Sequence, residues 1–483
     1  MYITTINEQW RDNPSELLST TKNRGGDMVS PNKAISRIRV RKLFGTYDYS
    51  LSASKHASNP DRLMILYGDN GSGKTTILRT LFHLLAPERS EGHKSAVSKV
   101  PFMRFDVNFS SGDHVWAQRP ENKIIGSFTM GVRLARKKEM AIEFIADDQG
   151  SVKAPPKTNA FLSRLKQLDI SLYFLSDDRT VQLAGQAPRE DLFIRRESSE
   201  ERGVTYVDTQ VELFQRRRLE NLEIQSQQIL LESIKRAEMW IQSQAVRGAA
   251  EGESNVNTLY SEILTRISAF PLETTPVPPD TVQKLEGRVG QLEARSKQFA
   301  QYGLLPEFNG RDILNIIKSA PPSHLRIITN VVTPYIESVE KKLDAMEHLQ
   351  RQIDALVNIL NSFFTRKKVN FEIHQGFTIT TEGGKQLMPQ MLSSGERHLL
   401  LLFFNTLITL DRPSIFIIDE PEISLNIKWQ RRLLSSLLEC AGKNPVQYLF
   451  ATHSFELLAQ YRNNVAKLSE MSEGSNGREA NSQ

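Results

Sequence analysis

The sequence is poor in cysteine and has no long apolar run. Its 483 residues include a single cysteine, Cys440. This excludes an intrachain disulfide framework and a zinc site built on cysteines, and it favours a reducing, cytoplasmic compartment. No stretch approaches the roughly 18 consecutive apolar residues of a membrane span, and the amino terminus lacks the basic and apolar regions of a signal peptide. We therefore expect neither a membrane protein nor a secreted one.

Positive charges outnumber negative charges only slightly. Lysine and arginine total 61 against 56 aspartates and glutamates, a net charge of +5, which permits contact with nucleic acid but does not require it. Hydrophobic residues at 39% and charged residues at 24% are ordinary globular proportions, so a wholly disordered chain is excluded. At roughly 150 residues per domain, the length predicts about three units, or one elaborated domain with an insertion.

Hydrophobic patterning divides the chain into five segments. Residues 1–34 are polar and predict an appended arm, and residues 469–483 predict a disordered tail. Strand and helix signals alternate over 35–204 and again over 369–468, which predicts one α/β lobe assembled from distant segments. The intervening segment, 205–368, has a helical pattern.

A near-heptad apolar stripe occupies the end of this helical segment. Its members are Val339, Leu343, Met346, Leu349, Ile353, Leu356, Leu360 and Phe363. A stripe of this period is typical of a coiled-coil arm or an oligomerisation helix. It is equally typical of an amphipathic helix packed on its own domain. The sequence leaves both interpretations open.

A glycine-rich loop lies between an apolar strand signal at 62–68 and a helix signal at 76–85. Residues 68–75, GDNGSGKT, match the phosphate-binding pattern G-x-x-x-x-G-K-[ST]. The glycines let backbone N–H groups point at phosphate oxygens. Lys74 should bridge the β- and γ-phosphates, and Thr75 should offer its hydroxyl to Mg²⁺. The predicted ATP-binding residues of this loop are Gly68, Asn70, Gly71, Gly73, Lys74, Thr75 and Thr76.

Two adjacent acids follow the apolar strand signal at 414–418. Asp419 is predicted to hold Mg²⁺ together with Thr75, and Glu420 is predicted to be the general base that polarises an attacking water. Two acids after a strand can also be a solvated turn. Their occurrence in one chain with the phosphate loop favours the catalytic interpretation.

Two further motifs flank these acids. Residues 392–396, LSSGE, begin a strongly apolar helix, and the positive end of that helix predicts a second anion site. Its predicted residues are Ser393, Ser394, Gly395 and Glu396. Alone, this motif is only a helix start. His453, after the last apolar strand signal, is a candidate to contact the γ-phosphate or the attacking water, although a lone histidine at a strand end is usually structural.

Four motifs follow one another along the chain: the phosphate loop, LSSGE, FIIDEPE (416–422) and ATHS (451–454). This set, in this order, resembles the motifs of ABC-type P-loop ATPases. The long helical segment between the first two motifs resembles the SMC, RecF and OLD-like branch. The resemblance implies an ATPase lobe split by a helical or coiled-coil insertion, with ATP and Mg²⁺ as cofactors. It also implies a head-to-tail dimer in which Ser394 and Gly395 contact ATP held by the partner copy, and it makes His453 the switch histidine.

The same family has a D-loop after the two acids and a Q-loop before them. Here Asn426 occupies a D-loop position where histidine or aspartate is more common. The Q-loop residue is not fixed by the sequence, and its two candidates are Gln118 and the corner SDDR at 176–179. The resemblance covers roughly residues 35–200 and 370–465.

LFGTYDYSL (43–51) and EPEISLNIKWQ (420–430) resemble ATPases of bacterial anti-phage systems, the AriA subunit of PARIS and the PtuA subunit of Septu. This resemblance implies a higher homo-oligomeric scaffold and sensor that holds and releases a separate TOPRIM-like or HNH nuclease in response to a phage-encoded trigger. The main alternative is a RecF/SMC-like DNA-repair ATPase that binds DNA directly, and a weaker one is a housekeeping ABC regulator that acts on another protein complex. DNA is thus a possible but not an expected partner. Basic clusters lie at 136–138, 195–196, 216–218 and 366–368. Each is either a contact for the phosphate backbone of a nucleic acid or an ordinary solvated face.

Overall fold

The computed structural model describes residues 33–53, 61–88, 92–135, 137–178, 181–185, 210–253, 265, 279–410 and 412–468. The predicted tail at 469–483 and residues 1–32 of the predicted arm lie outside the described residues. So do the arginines at 136, 179, 195 and 196 and the side chains at 216–218. Within the described part, no helix combines the length and the apolar character that crossing a membrane requires.

The described chain alternates between strands and helices at both ends and is helical in the middle. In chain order the strands are β1 (Ile35–Leu43), β2 (Tyr47–Leu51), β3 (Leu63–Tyr67), β4 (Arg104–Phe109), β5 (His114–Gln118), β6 (Phe128–Arg133), β7 (Met140–Ala146), β8 (Val152–Lys153), β9 (Ser171–Leu175), β10 (Val181–Gly185), β11 (Lys367–Glu372), β12 (Gly376–Thr381), β13 (Gln386–Leu387), β14 (Ser414–Asp419), β15 (Val446–Thr452) and β16 (Val465–Lys467). The helices are α1 (Lys74–Leu85), α2 (His93–Lys99), α3 (Thr158–Lys166), α4 (Gln210–Glu253), α5 (Pro279–Ala300), α6 (Arg311–Ser319), α7 (Pro322–Phe363), α8 (Ser394–Ile408), α9 (Ile427–Ala441) and α10 (Phe455–Gln460).

A six-stranded sheet has the strand order β10-β9-β14-β15-β3-β16, and every neighbouring pair is parallel except β10 with β9. β14 and β15 are buried along their whole length, as their continuous apolar runs predict. β3 and β9 precede the helical segment, whereas β14, β15 and β16 follow it. The predicted α/β lobe, assembled from distant segments and split by a helical insertion, is therefore confirmed.

Two cores cover the two faces of this sheet, because successive residues of a strand point in opposite directions. On one face, Leu66 and Ile417 pack with α1, α2, α3 and the seven-stranded antiparallel sheet β2-β1-β4-β5-β6-β7-β8. On the other face, Ile65 and Phe416 pack with α4, α5, α7, α8, α9 and α10. Consequently α1, which follows the phosphate loop, lies in the core that the two sheets share.

The apolar stripe of α7 packs inside the chain. Seven of its residues are buried in the core that also contains α4 and α5, namely Leu343, Met346, Leu349, Ile353, Leu356, Leu360 and Phe363. Arg288 of α5 donates two hydrogen bonds to Glu340 of α7, at 3.0 and 2.6 Å. This arrangement accounts for the stripe as an amphipathic helix on its own domain. A further role in oligomerisation, and the segment boundaries at 204 and 368, stay predictions.

Candidate functional site

The phosphate loop joins the end of β3 to the first residue of α1. Gly71 and Gly73 have φ angles of 81° and 91°, in the left-handed region that favours glycine. A β-carbon on Gly73 would lie 3.0 Å from the ring of Phe44, in the segment 43–51 that the sequence did not assign to this site. Phe44 therefore closes one side of the loop. Asn70 is exposed in the loop, and Thr76 is half-buried in the first turn of α1.

Lys74 is buried and folded back onto the loop. Its Nζ donates hydrogen bonds to the carbonyl oxygens of Gly68 at 2.8 Å and Asp69 at 3.0 Å. Burial lowers the pKa of Lys74, and the carboxylates of Glu420 and Asp419 oppose that shift. The first turn of α1 contains no acidic residue. The helix amino terminus and this ammonium together therefore offer positive charge to an anion.

Asp419, the last residue of β14, is 1% exposed, and neither of its carboxylate oxygens has a hydrogen-bond partner among the described residues. Burial raises the pKa of Asp419 to about 6. Asp177 and Glu420 reinforce this shift, while the Thr75 hydroxyl opposes it without reaching full hydrogen-bond geometry. Buried, unpartnered oxygens beside a hydroxyl match the hard oxygen ligands that Mg²⁺ takes. Thr75 and Asp419 thus fit the predicted metal role.

Glu420 and His453 lie together at the carboxyl edge of the parallel strands. Glu420 has a φ of 48°, a left-handed conformation that costs about 1–3 kcal/mol for a residue with a side chain. Its N–H donates to Ala451 O at 2.8 Å, which fixes the turn against β15. His453 Nε2 is 4.0 Å from Glu420 Oε1, and the two side chains are 35% and 36% exposed. This distance is too long for a direct hydrogen bond and suits a water molecule between them.

Glu422 positions the segment that carries His453, a role that the sequence did not reveal. Its Oε1 accepts hydrogen bonds from Thr452 Oγ1 at 2.5 Å, from the N–H of His453 at 2.9 Å and from the N–H of Ser454 at 3.1 Å. Three donors on one carboxylate oxygen hold the end of β15 against the turn after β14. The available signal was the second acid of the sequence EPE (420–422), but its partners begin 30 residues further along the chain.

The predicted second anion site begins with a capping box at the start of α8. Ser393 Oγ accepts from the N–H of Glu396 at 3.3 Å, and the N–H of Ser393 donates to Glu396 Oε2 at 2.7 Å. Lys367 donates to the same oxygen at 2.7 Å. Burial acts to raise the pKa of Glu396, but Lys367 and Ser393 outweigh it, so the pKa is lowered. Glu396 is engaged within the chain, and its contact with ATP stays a prediction.

The start of α8 packs against the turn that follows the acids. A β-carbon on Gly395 would lie 2.5 Å from Ser424 O, so only glycine fits there. Asn426 caps α9 by accepting a hydrogen bond from the N–H of Trp429 at 3.0 Å, which gives a structural reason for asparagine at this D-loop position. In the part of the chain that the structure describes, no hydrogen bond links Ser394 or Gly395 to the phosphate loop.

The two Q-loop candidates lie in different sheets. Gln118 is in β5 of the antiparallel sheet, where its side chain accepts a hydrogen bond from Arg104. Asp177 follows β9, the strand beside β14, and its charge helps to raise the pKa of Asp419 after the larger effect of burial. The structure therefore brings Asp177 of the second candidate near the acids. Arg179 of that corner lies outside the described residues.

Several known proteins resemble this chain. Residues 44–458 match the model of a protein family described as AAA ATPase domain. A stretch of 78 residues is 32% identical to the uncharacterized ABC transporter ATP-binding protein YejF of Escherichia coli K12, and the match spans only 16% of this chain and 14% of that protein. One similar solved structure is the Smc head domain with an extended coiled coil, bound to the C-terminal domain of ScpA and derived from Pyrococcus furiosus. It is 12% identical to this chain with a TM-score of 0.37, and the match covers 91% of this chain and 96% of that one. The SMC head domain from Thermotoga maritima is 12% identical with a TM-score of 0.31, over 91% and 99% of the two chains.

Proposed function

This chain belongs to the AAA ATPase domain family, and from that premise we propose that it binds ATP with Mg²⁺ at the phosphate loop and hydrolyses it at the adjoining sheet edge. The observation that carries the proposal is Asp419, whose buried carboxylate oxygens have no partner in the described chain and lie beside Thr75. A buried carboxylate of this kind is stabilised by a cation. The neighbouring loop offers the backbone amides that bind phosphate.

Each residue of the site has one role in this proposal. Bound Mg²⁺ would supply Lewis-acid polarisation of the phosphate oxygens, and Thr75 and Asp419 would hold it. Lys74 exchanges its hydrogen bonds to the loop carbonyls for bonds to phosphate oxygens. Glu420 takes a proton from the attacking water, and His453 orients that water from the opposite side of the 4.0 Å gap.

Three variants test the proposal. Lys74→Ala should abolish nucleotide binding in isothermal titration calorimetry, because it removes the ammonium that contacts phosphate. Glu420→Gln should retain ATP but not release phosphate, since it keeps the shape of the site without the base. Lys341→Ala removes an exposed lysine of α7 and should behave as the wild type. Normal turnover in Glu420→Gln would overturn its assignment as general base.

At the level of the assembly, we propose that the chain is the oligomeric scaffold and sensor of an anti-phage complex that holds and releases a separate nuclease. The support is the resemblance of 43–51 and 420–430 to such ATPases. Co-expression with the product of the neighbouring gene, followed by mass measurement, tests this proposal. A stable complex with a TOPRIM-like or HNH nuclease supports it, whereas a gene that lies alone among replication genes and yields no co-purifying nuclease counts against it.

One observation favours direct DNA binding as a second candidate function. Arg37, Arg39 and Arg41 alternate along β1 and are exposed. Among the described residues, none of the three has a carboxylate within 4.0 Å. Arginines in such a row can contact a phosphate backbone. Duplex binding should weaken steeply with salt and disappear when all three are replaced by glutamine. A wild type that ignores DNA at low salt removes this candidate.

A further inference from the structure

A buried lysine of α2 contacts the carboxyl end of α1, the helix that begins at the phosphate loop. α1 starts at Lys74, and the carbonyl groups of its last turn have no partner within the helix, as at any helix end. Lys94, near the start of α2, donates from Nζ to the carbonyl oxygens of His83 at 3.0 Å, Leu84 at 3.0 Å and Ala86 at 2.8 Å. All three donors of the ammonium are therefore used on the carboxyl end of α1.

The surroundings of Lys94 suit a positive charge at that position. The residue is 9% exposed, and the carboxyl end of a helix carries a partial negative charge that a cation stabilises. Burial lowers the pKa of Lys94 to about 7, and the carboxylate of Glu88 opposes that shift. The three carbonyl oxygens favour the protonated form, since the ammonium has three N–H groups to donate and the neutral amine has only two. In its protonated form, Lys94 thus holds the carboxyl end of α1 through three hydrogen bonds.

A second contact joins the same two helices. Nδ1 of His83 and Nδ1 of His93 lie 2.8 Å apart, so one ring donates and the other accepts. Burial lowers the pKa of His83 to about 4 and that of His93 to about 3. Both rings are therefore neutral near pH 7, and the hydrogen bond between them is kept. Together with Lys94, this pair fixes the carboxyl end of α1 to α2.

We propose that Lys94 is a positioning residue for the nucleotide site and acts through the length of α1. A helix of 12 residues is a rod about 18 Å long, so a shift or rotation at its carboxyl end moves Lys74 and Thr75 at its amino end. With the carboxyl end clamped, the ammonium of Lys74 and the helix amides stay aimed at the phosphates. The inference rests on the proposed binding of ATP at the phosphate loop.

Arg119 offers a matched control. It is a buried cation, 1% exposed, that also donates to three backbone carbonyls, those of Phe102 at 2.6 Å, Val97 at 3.0 Å and Ser98 at 3.1 Å. Two of these carbonyls, those of Val97 and Ser98, lie in the last turn of α2 rather than in its first turn, which carries His93 and Lys94, and none of the three belongs to α1. Arg119→Met should therefore destabilise the fold much as Lys94→Met does, but it should not disturb the helix that carries Lys74.

The decisive measurement compares nucleotide affinity with stability. Affinity for ATP with Mg²⁺ is measured by calorimetry on folded protein, and stability by urea titration without nucleotide. We expect Lys94→Met to weaken ATP binding about tenfold, and Arg119→Met to stay within about twofold of the wild type. Equal losses of affinity in the two variants, or lost stability with unchanged affinity in Lys94→Met, would contradict the proposal. A wild type that binds no nucleotide, like Lys74→Ala, would instead refute the proposed function.

Hydrogen exchange of the wild type tests the same link even if Lys94→Met does not fold. Coupling between two sites is reciprocal, so a clamp that aids ATP binding must be tightened by ATP. ATP should therefore slow exchange of the backbone N–H groups in the last turn of α1 and at the residue that follows it, residues 82–86. Exchange in α6, within the helical insertion, should be unaffected. Protection that stops at the phosphate loop and leaves residues 82–86 unchanged would show the proposal to be wrong.

Discussion

Glu396 accepts three hydrogen bonds at the start of α8, two from Ser393 and one from Lys367. Glu396→Gln should lower the free energy of unfolding by about 1 kcal/mol at neutral pH, because charge-assisted bonds and half of the capping box are lost. The folded pKa of Glu396 is lowered, so its stabilisation is present above the ordinary pKa of 4.5 and is lost as the pH falls through the folded pKa.

Urea titrations of the wild type and Glu396→Gln, at neutral pH and in acid, measure this contribution. The two proteins should differ at neutral pH and converge in acid, because the wild-type carboxylate becomes protonated there. A difference that persists unchanged into acid would mean that the charge of Glu396 is not what stabilises the helix start.

Glu422 is a second residue whose single replacement is informative. Glu422→Ala removes the acceptor shared by Thr452, His453 and Ser454, so His453 is no longer held opposite Glu420. We expect kcat to fall at least about tenfold while KM for ATP changes little, since the hydrogen bonds that Glu422 accepts come from residues 452–454 and not from the phosphate loop. Steady-state phosphate release measures both constants. The control is Glu439→Ala on the exposed side of α9, which should leave both unchanged; a rise in KM without a fall in kcat would contradict the positioning role.

At the scale of elements, α7 offers a test of what its apolar stripe does. Leu356 is fully buried, so Leu356→Ala should lower the free energy of unfolding by about 2–5 kcal/mol. Because the side chain packs within the chain, the oligomeric mass of the folded protein should not change. Ile327→Ala, also on α7 but 53% exposed, should alter stability by no more than about 0.5 kcal/mol. Light scattering that shows a smaller assembly for Leu356→Ala at unchanged stability would instead assign the stripe to oligomerisation.

The elements differ in how far the sequence could predict them. β3, β14 and β15 are apolar runs that end in the motif residues, so their place in a buried parallel sheet followed from local pattern alone. The stripe of α7 was ambiguous because an apolar seam has nearly the same period whether it faces another chain or the same chain. The structure shows that the stripe packs against α4 and α5 of the same chain. The position of those two helices cannot be read from the local sequence of α7.

At the scale of the whole molecule, the site residues that could be predicted are those that the topology must bring together. Parallel strands end at one edge of the sheet. Once the motifs at the strand ends were recognised, it followed that Asp419 and His453 lie near the phosphate loop. Glu422 and Lys94 could not be predicted in their roles, because each depends on hydrogen bonds to another element of the fold. An acid in a turn and a lysine in a short helix carry no signal of such partners.

The relation between the phosphate loop and the start of α8 leads to a prediction about assembly. In the described chain no hydrogen bond joins Ser394 to the phosphate loop. This separation is what we expect if the site is completed by Ser394 of a second copy. If two copies meet head to tail, Lys74→Ala lacks a working loop but keeps a working helix start, and Ser394→Arg has the opposite defect. Each variant alone should be inactive. An equal mixture should regain up to about a quarter of wild-type phosphate release, because random pairing makes half of the dimers mixed and each mixed dimer has one intact site.

Two controls make the complementation specific to a head-to-tail contact. Ser394→Arg alone should still bind ATP in calorimetry, since its own phosphate loop is intact, and this distinguishes a blocked contact from a misfolded protein. Lys74→Ala mixed with Lys74→Ala/Ser394→Arg should stay inactive, because no pairing of those chains joins an intact loop to an intact helix start. If the first mixture releases phosphate no faster than its two components separately, while Ser394→Arg retains its affinity for ATP, each copy completes its own site and the head-to-tail arrangement is wrong.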